Sequence, residues 1–327
     1  DQSIYMSERF LPGIMASEEK KRERLVRRDG NISDARPERS VEELLHSCVI
    51  VIDKPKGPTS HQVADWAKKI LGAKKAGQAG TLDPAVTGLL PIGVEKATKA
   101  LSVLLSAGKE YVCSMHVHDD HPEEVIRSIM QEKFVGAIRQ YPPVKSAIHR
   151  RWRTRHIYYI EILEVHGREV LFRVGCQAGT YIRKLCYDIG KELGSGAHMA
   201  QLIRTKSGGF SWSERVTLQD LADAMHWYRE GDPSHLQAML LPVEELARHL
   251  PRIWVADDVV QSLSRGVQTQ GEMILAVESG IEPRHQVAAF APDGRLVLIG
   301  HALLKSEEMV HSDETAVKTE RVIIDQF

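Results

Sequence analysis

Gly77-Gln78-Ala79-Gly80-Thr81-Leu82-Asp83-Pro84-Ala85-Val86-Thr87-Gly88-Leu89-Leu90-Pro91-Ile92-Gly93 joins a glycine-rich loop to an apolar run and holds one carboxylate, Asp83. Pro84 disfavours the helical region for the residue before it, so Asp83 is expected in an extended conformation. Gly77 and Gly80 are expected to let the backbone bend tightly and approach another molecule closely. Alone, the stretch reads more readily as an Asp-Pro turn ahead of a buried strand. Its meaning depends on the rest of the chain.

Upstream, Cys48-Val49-Ile50-Val51-Ile52 has the length and continuous apolarity of a strand buried on both faces. It runs into Asp53-Lys54-Pro55-Lys56-Gly57-Pro58-Thr59-Ser60, where Pro55 and Gly57 predict a rigid loop from which Lys54 projects. Ser60 is expected to cap a helix through Leu71 that presents Val63, Trp66, Ala67 and Ile70.

Downstream, Lys109 to Val117 alternates as a half-buried strand, and Pro122 to Phe134 reads as an amphipathic helix. Two strand-like runs, 156–165 and 170–176, flank a turn and predict a hairpin. Thr180 is expected to cap a helix ending at Leu193, and Leu218 to Arg229 is helical in pattern. Beyond Leu250 the pattern changes to short strands, with a hairpin signal at Asp293-Gly294. These features predict an α+β protein: a polar extension over residues 1–47, a main domain over 48–250 built on a mixed, largely antiparallel sheet, and a small β-rich domain over 251–327.

The 327 residues are 43% hydrophobic and 27% charged with a formal net charge of −1, ordinary for a globular chain with two cores. No apolar run approaches the roughly 18 residues of a membrane helix. The first residues lack an apolar signal core. Cys48, Cys113, Cys176 and Cys186 show no metal-ligand spacing and read as buried free thiols of a reducing compartment. The 15 histidines are scattered, so no metal is expected.

One segment departs from this balance. Arg139 to Arg155 holds Lys145, Arg150, Arg151, Arg153, Arg155 and His149, interleaved with Tyr141 and Trp152, and no acidic residue. The composition fits a solvated basic loop, or phosphate contact combined with base stacking.

Five motifs occur in order: Lys54-Pro55-x-Gly57-x-Thr59-Ser60, Gly80-Thr81-Leu82-Asp83-Pro84, Gly108-Lys109-Glu110-Tyr111, Gly179-Thr180-Tyr181-Ile182-Arg183 and Leu202-x-Arg204-Thr205. Together they resemble the TruB superfamily of pseudouridine synthases. Gly196-Ala197-His198-Met199-Ala200 and Arg155-x-Ile157-Tyr158-Tyr159-Ile160-Glu161 resemble its archaeal and eukaryotic dyskerin branch, the catalytic subunit of H/ACA RNA-guided machines. The resemblance runs from about Cys48 to Trp212 and continues more weakly through a segment similar to a PUA pseudobarrel.

The resemblance implies conversion of uridine in rRNA or tRNA to pseudouridine without cofactor or metal. It makes Asp83 the catalytic carboxylate, as nucleophile or general base, and Arg183 its cation. Tyr111 resembles the stacking tyrosine for a flipped uridine. Tyr181 and Leu202 resemble pocket residues, and Lys54 the residue that braces the active-site loops. Lys145, Arg150, Arg151, Arg153 and Arg155 fall in a segment similar to the thumb loop that closes on RNA.

Three positions depart from the family pattern, among them Ala79, where archaeal relatives often carry Gly. Gln78 stands where most relatives carry His beside the flipped nucleotide, so the group there does not titrate near neutrality. Ile203 replaces an Arg.

The implied partners are an H/ACA guide RNA, a substrate RNA and three small proteins of zinc-ribbon, glycine/arginine-rich and kink-turn-binding type. An archaeal-type cytoplasmic setting fits better than a nucleolar one. A stand-alone tRNA synthase and a catalytically silent RNA-binding scaffold are the alternatives.

Overall fold

The computed structural model describes residues 22–33, 35, 37–141 and 151–324, so Lys145 and Arg150 lie outside the described residues. Among these, strands form a ten-stranded and a seven-stranded sheet. The larger is mixed but mostly antiparallel, and the smaller belongs to the C-terminal part of the chain, in keeping with the α+β expectation.

The opening apolar run is strand Ser47–Lys54, paired antiparallel with Thr87–Glu95 so that Ile50 faces Ile92. Its continuous apolarity has a direct cause. Val49 and Val51 enter one core with Leu89, Leu104 and Leu246, whereas Cys48, Ile50 and Ile52 enter another with Val63, Leu90 and Leu221. Successive side chains of a strand point to opposite faces, so a strand between two cores has no polar side. Each fully buried Val or Ile contributes about 1.5–3 kcal/mol. A third core packs Cys113, Met115, Phe172 and Val174 under helices Glu123–Phe134 and Ile182–Leu193. The hairpin Arg153–His166 and Glu169–Cys176 turns at Gly167, which has φ 58°.

Helix starts differ from expectation in two places. Helix Ser60–Leu71 is capped by Thr59, not Ser60. The Thr59 hydroxyl accepts from the Gln62 amide at 3.1 Å, and the Gln62 side-chain oxygen accepts from the Thr59 amide at 2.8 Å. This reciprocal box needs Glx three residues after the cap, which Thr59 has and Ser60 lacks. Trp66, 42% exposed, lies off the buried stripe of Val63, Ala64, Ala67 and Leu71. Helix Ile182–Leu193 starts after Tyr181, and the Thr180 hydroxyl instead donates to the Gln177 carbonyl at 2.6 Å.

In the smaller sheet, strands Gln286–Phe290 and Leu296–Ala302 form the Asp293-Gly294 hairpin. Strand Arg24–Val26, far upstream, joins this sheet beside Ile274–Glu278. Arg39 adds a two-pronged pair to Glu244, both contacts at 2.7 Å. The first core also takes in Trp254, Leu275 and Phe290, so apolar packing is continuous between the two sheets. All four cysteines are buried and free. No helix among the described residues is long and apolar enough to cross a membrane.

Candidate active site

The loop that carries Asp83 is fixed from both sides. Before Asp83, the Ser60 hydroxyl accepts from the Leu82 amide at 2.9 Å and donates to the Leu82 carbonyl at 3.0 Å. After it, the Pro84 carbonyl accepts from the Gly57 amide at 2.8 Å and from the Lys54 ammonium at 3.3 Å. Lys54 therefore does not project. It is fully buried, and its ammonium also donates to the carbonyls of Pro55 at 3.0 Å and Val86 at 2.9 Å. Three donors meet three carbonyls, which lets an ammonium remain in a dry place. Burial pushes its pKa down, and the Asp83 charge opposes that shift. The Lys54-Pro55-x-Gly57-x-Thr59-Ser60 motif thus holds the peptides on either side of Asp83.

The bend of the loop belongs to Gly80, which has φ 77°. Gly77 lies within strand Ala76–Gln78 without a positive φ, so close packing explains it better than bending: a Cβ there would meet Leu101 at 3.2 Å. Under Gly80 lies Arg204, whose terminal nitrogen would be 3.2 Å from an added Cβ. Gly88, with φ 102°, passes so close to the Arg204 backbone that a Cβ would lie 2.3 Å from its carbonyl oxygen. The parallel pairing of Gly88 with Arg204 requires glycine for that reason.

Asp83 and Arg183 meet, with Nη2 donating to Oδ2 at 3.1 Å. The contact is one nitrogen to one oxygen, not a fork, and both side chains are about 60% exposed. In that setting the pair orients the carboxylate and adds little stability, under about 1 kcal/mol.

Tyr111 comes from strand Lys109–Val117 and pairs across the sheet with Arg204. Burial pushes its hydroxyl up, and Arg204 opposes this. Its neighbour Lys109 is buried, and desolvation pushes it down to about 7. The Lys109 ammonium donates to the carbonyls of Leu104 and Ala107. Glu110 accepts from Thr205 at 2.8 Å and from the Tyr159 hydroxyl, tying three strands together. The Gly-Lys-Glu-Tyr motif therefore combines two buried anchors with one candidate substrate residue.

Leu202 packs in the same core as Leu82 and Val86 of the Asp83 loop. Tyr181 stands at the start of helix Ile182–Leu193. Buried Gln140 holds its backbone, accepting from the Tyr181 amide at 3.0 Å and donating to its carbonyl at 3.1 Å. Gln78 donates to Thr81 at 3.0 Å at the entrance of the loop.

Of the basic segment, Arg155 donates to the Gly179 carbonyl at 3.2 Å, two residues before Tyr181. Arg139 lies over the Trp152 ring at 5.3 Å, and Tyr141 packs against the same ring. Arg151 is exposed, and Arg153 opens strand Arg153–His166. None of these arginines contacts Asp83 among the described residues. Sequence reasoning missed Ser60 as a loop clamp, Gln140 as the holder of Tyr181, and the burial of Arg204. The Thr59-x-x-Gln62 spacing offered a signal for the first, since it frees Ser60 from capping.

A mixed sheet that presents one aspartate on a pinned glycine loop, with a tyrosine and an arginine beside it, defines an RNA pseudouridine synthase when set against known proteins. Residues 35–64 match the DKCLD (NUC011) domain, 68–182 the TruB family pseudouridylate synthase N-terminal domain, and 183–248 the tRNA pseudouridylate synthase B C-terminal domain. The chain belongs to the TruB family of pseudouridine synthases, in its dyskerin-type archaeal branch.

A relative called probable tRNA pseudouridine synthase B from Methanopyrus kandleri is 51% identical over 290 residues, 88% of this chain and 86% of its own. The protein of the same description from Pyrococcus abyssi is 47% identical over 289 residues, again 88% and 86%. Among solved structures, a Cbf5-Nop10-Gar1 complex matches at 44% identity with TM-score 0.89, covering 94% of this chain and 95% of that one. An H/ACA ribonucleoprotein bound to a substrate RNA containing 2'-deoxyuridine matches at 42% with TM-score 0.86, covering 94% and 96%.

Proposed function

We propose that this chain isomerises uridine in RNA through Asp83, as the catalytic subunit of an H/ACA guide ribonucleoprotein. The observation that carries the reading is the Asp83–Arg183 contact on a loop pinned at Leu82 and Pro84. The N1–C1′ bond of the uridine breaks, the uracil turns, and C5 bonds to C1′ while a proton leaves C5 and one arrives at N1. Asp83 acts ionised, and Arg183 orients it. The uridine must leave its stack to reach the carboxylate. Tyr111 receives the base, with Tyr181 and Leu202 as pocket walls and Gln78 at the entrance. Lys54 shapes the loop from below.

Arg151, Arg153 and Arg155, with Lys145 and Arg150, take the RNA backbone, and residues 251–327 hold the guide. Residues 1–47, 48–250 and 251–327 are the extension, catalytic and PUA-type units of this reading. The partners are guide RNA, substrate RNA and the three small accessory proteins, in an archaeal-type cytoplasm. The likeness over 94% of the chain to proteins solved in Cbf5-Nop10-Gar1 and H/ACA assemblies supports this. The relatives' name, tRNA pseudouridine synthase B, favours a second reading in which the chain also acts on tRNA without a guide.

The test is Asp83→Asn in the complex assembled with guide RNA and partners. Pseudouridine formation should vanish while guide RNA binding remains, and turnover by that variant would sink the mechanism. Assaying the wild-type chain on tRNA with and without guide and partners separates the two readings. Equally fast guide-independent turnover would favour the second.

A further inference from the structure

Among the described residues, Arg204 is the largest side chain buried below 2% exposure, and no carboxylate there neutralises it. Its Nε donates to the Leu89 carbonyl at 2.7 Å. Its Nη2 is buried with no hydrogen-bond partner among the described residues. A dry, unsatisfied guanidinium N–H is costly, and a fold retains one when something acceptable comes to it. The sheet register places Tyr111 directly opposite Arg204, so the phenol and the buried guanidinium leave adjacent strands side by side, and the Arg204 charge favours the ionised form of the Tyr111 hydroxyl. Gly80 closes over the other side of the guanidinium. Because Arg204 also holds Leu89 and lies beneath Gly80, it has little freedom to swing elsewhere.

We infer that Arg204 is a positioning residue that acts through Tyr111, holding the phenol oxygen as an acceptor so that the phenol's own proton faces the cleft. The inference rests on the proposed reaction. A guanidinium only donates, so an oxygen that faces it must accept, and the O–H must point away. As the phenol gives its proton to N1 and its oxygen then takes the proton that leaves C5, the spare N–H and the buried charge meet the oxygen where negative charge develops. Preorganised donors of that kind cost no reorganisation at the moment of reaction. Arg183 orients the carboxylate on the exposed side of the site. Arg204 serves the phenol from the buried side.

The first arm of the test does not need turnover. A ring-fluorinated tyrosine, which titrates at lower pH than tyrosine, is placed at position 111 of the full chain and its 19F resonance is followed against pH. Arg204→Met should raise the midpoint by about one pH unit or more. An unchanged midpoint in a folded variant overturns the inference. Arg204→Lys, which keeps the charge in the same burial, should leave the midpoint within about half a pH unit of the unsubstituted chain, and a rise of about one unit or more in that variant overturns the inference even if the methionine variant does not fold. In Arg204→Met the single-turnover rate should fall about tenfold or more with Tyr111 present, at unchanged RNA affinity. In a Tyr111→Phe background the same substitution should change the rate less than about twofold, because nothing remains for it to act through. Equal losses in both backgrounds assign Arg204 a purely structural role. The 19F midpoint is readable whether or not Asp83 proves to be the catalytic group, so the two proposals fail separately.

Discussion

The Ser60 hydroxyl bonds both the amide and the carbonyl of Leu82, the residue before Asp83, although 22 positions separate Ser60 and Leu82 in the chain. A single side chain thus satisfies both backbone polar groups of one buried residue. Ser60→Ala leaves two buried groups unpaired and should cost about 2 kcal/mol in denaturant unfolding. Turnover should fall beyond what the lost stability explains, since the Asp83 loop loses its near-side clamp. An unchanged rate in the folded variant would remove Ser60 from the positioning of Asp83.

Lys54 performs the equivalent task on the far side, through the carbonyls of Pro55, Pro84 and Val86. Lys54→Met removes the charge and all three donors. Relief from desolvation offsets part of the loss, so the net cost should be about 2 kcal/mol. Chemical denaturation gives that number, and single-turnover kinetics should show a lower rate with little change in RNA affinity.

Gly88→Ala places a methyl 2.3 Å from the Arg204 carbonyl oxygen at a φ of 102°. Backbone cannot yield as a side-chain tip can, so this change should cost at least about 3 kcal/mol. Thermal unfolding of Gly88→Ala beside Gly57→Ala checks it. Gly57 also has a positive φ, of 116°, but open space around it, so strain alone acts there.

Burial, with the charges of Lys109 and Arg22, pushes the His249 imidazole from an ordinary 6.5 down to about 4. Between those values the unfolded chain binds a proton that the folded chain refuses. Stability from this group is therefore complete above pH 6.5 and lost as the pH falls towards 4, by about 3 kcal/mol. Urea unfolding from pH 7 to 4 should show that slope, and His249→Phe should flatten it. A slope identical in both proteins would assign the acid sensitivity to other groups.

Much of the fold could be read from periodicity. The strand at Cys48, the hairpin around Gly167 and the helix at Leu218 all follow from local pattern. The candidate site is legible as an ordered set of motifs, and both Asp83 and Arg183 lie within them. Pattern could not reveal what Lys54, Ser60 and Arg204 do, because each holds a partner between 22 and 115 residues away. A lysine after a strand looks the same in sequence whether it meets water or three carbonyls. The cap at Thr59 was legible in the spacing to Gln62 and was passed over because Ser60 is an equally good cap by residue type. Gln140 carries no local signal, since a lone glutamine on a strand is ordinary.

Among the described residues, strand Arg24–Val26 occupies the outermost place beside Ile274–Glu278 in the smaller sheet. It therefore works as a seal. Without those three residues, Ile274–Glu278 would present an open row of backbone donors and acceptors, a template on which a second chain can stack. An upstream segment with few apolar residues thus helps keep neighbouring molecules apart, and trimming it would bring self-association before any loss of the core.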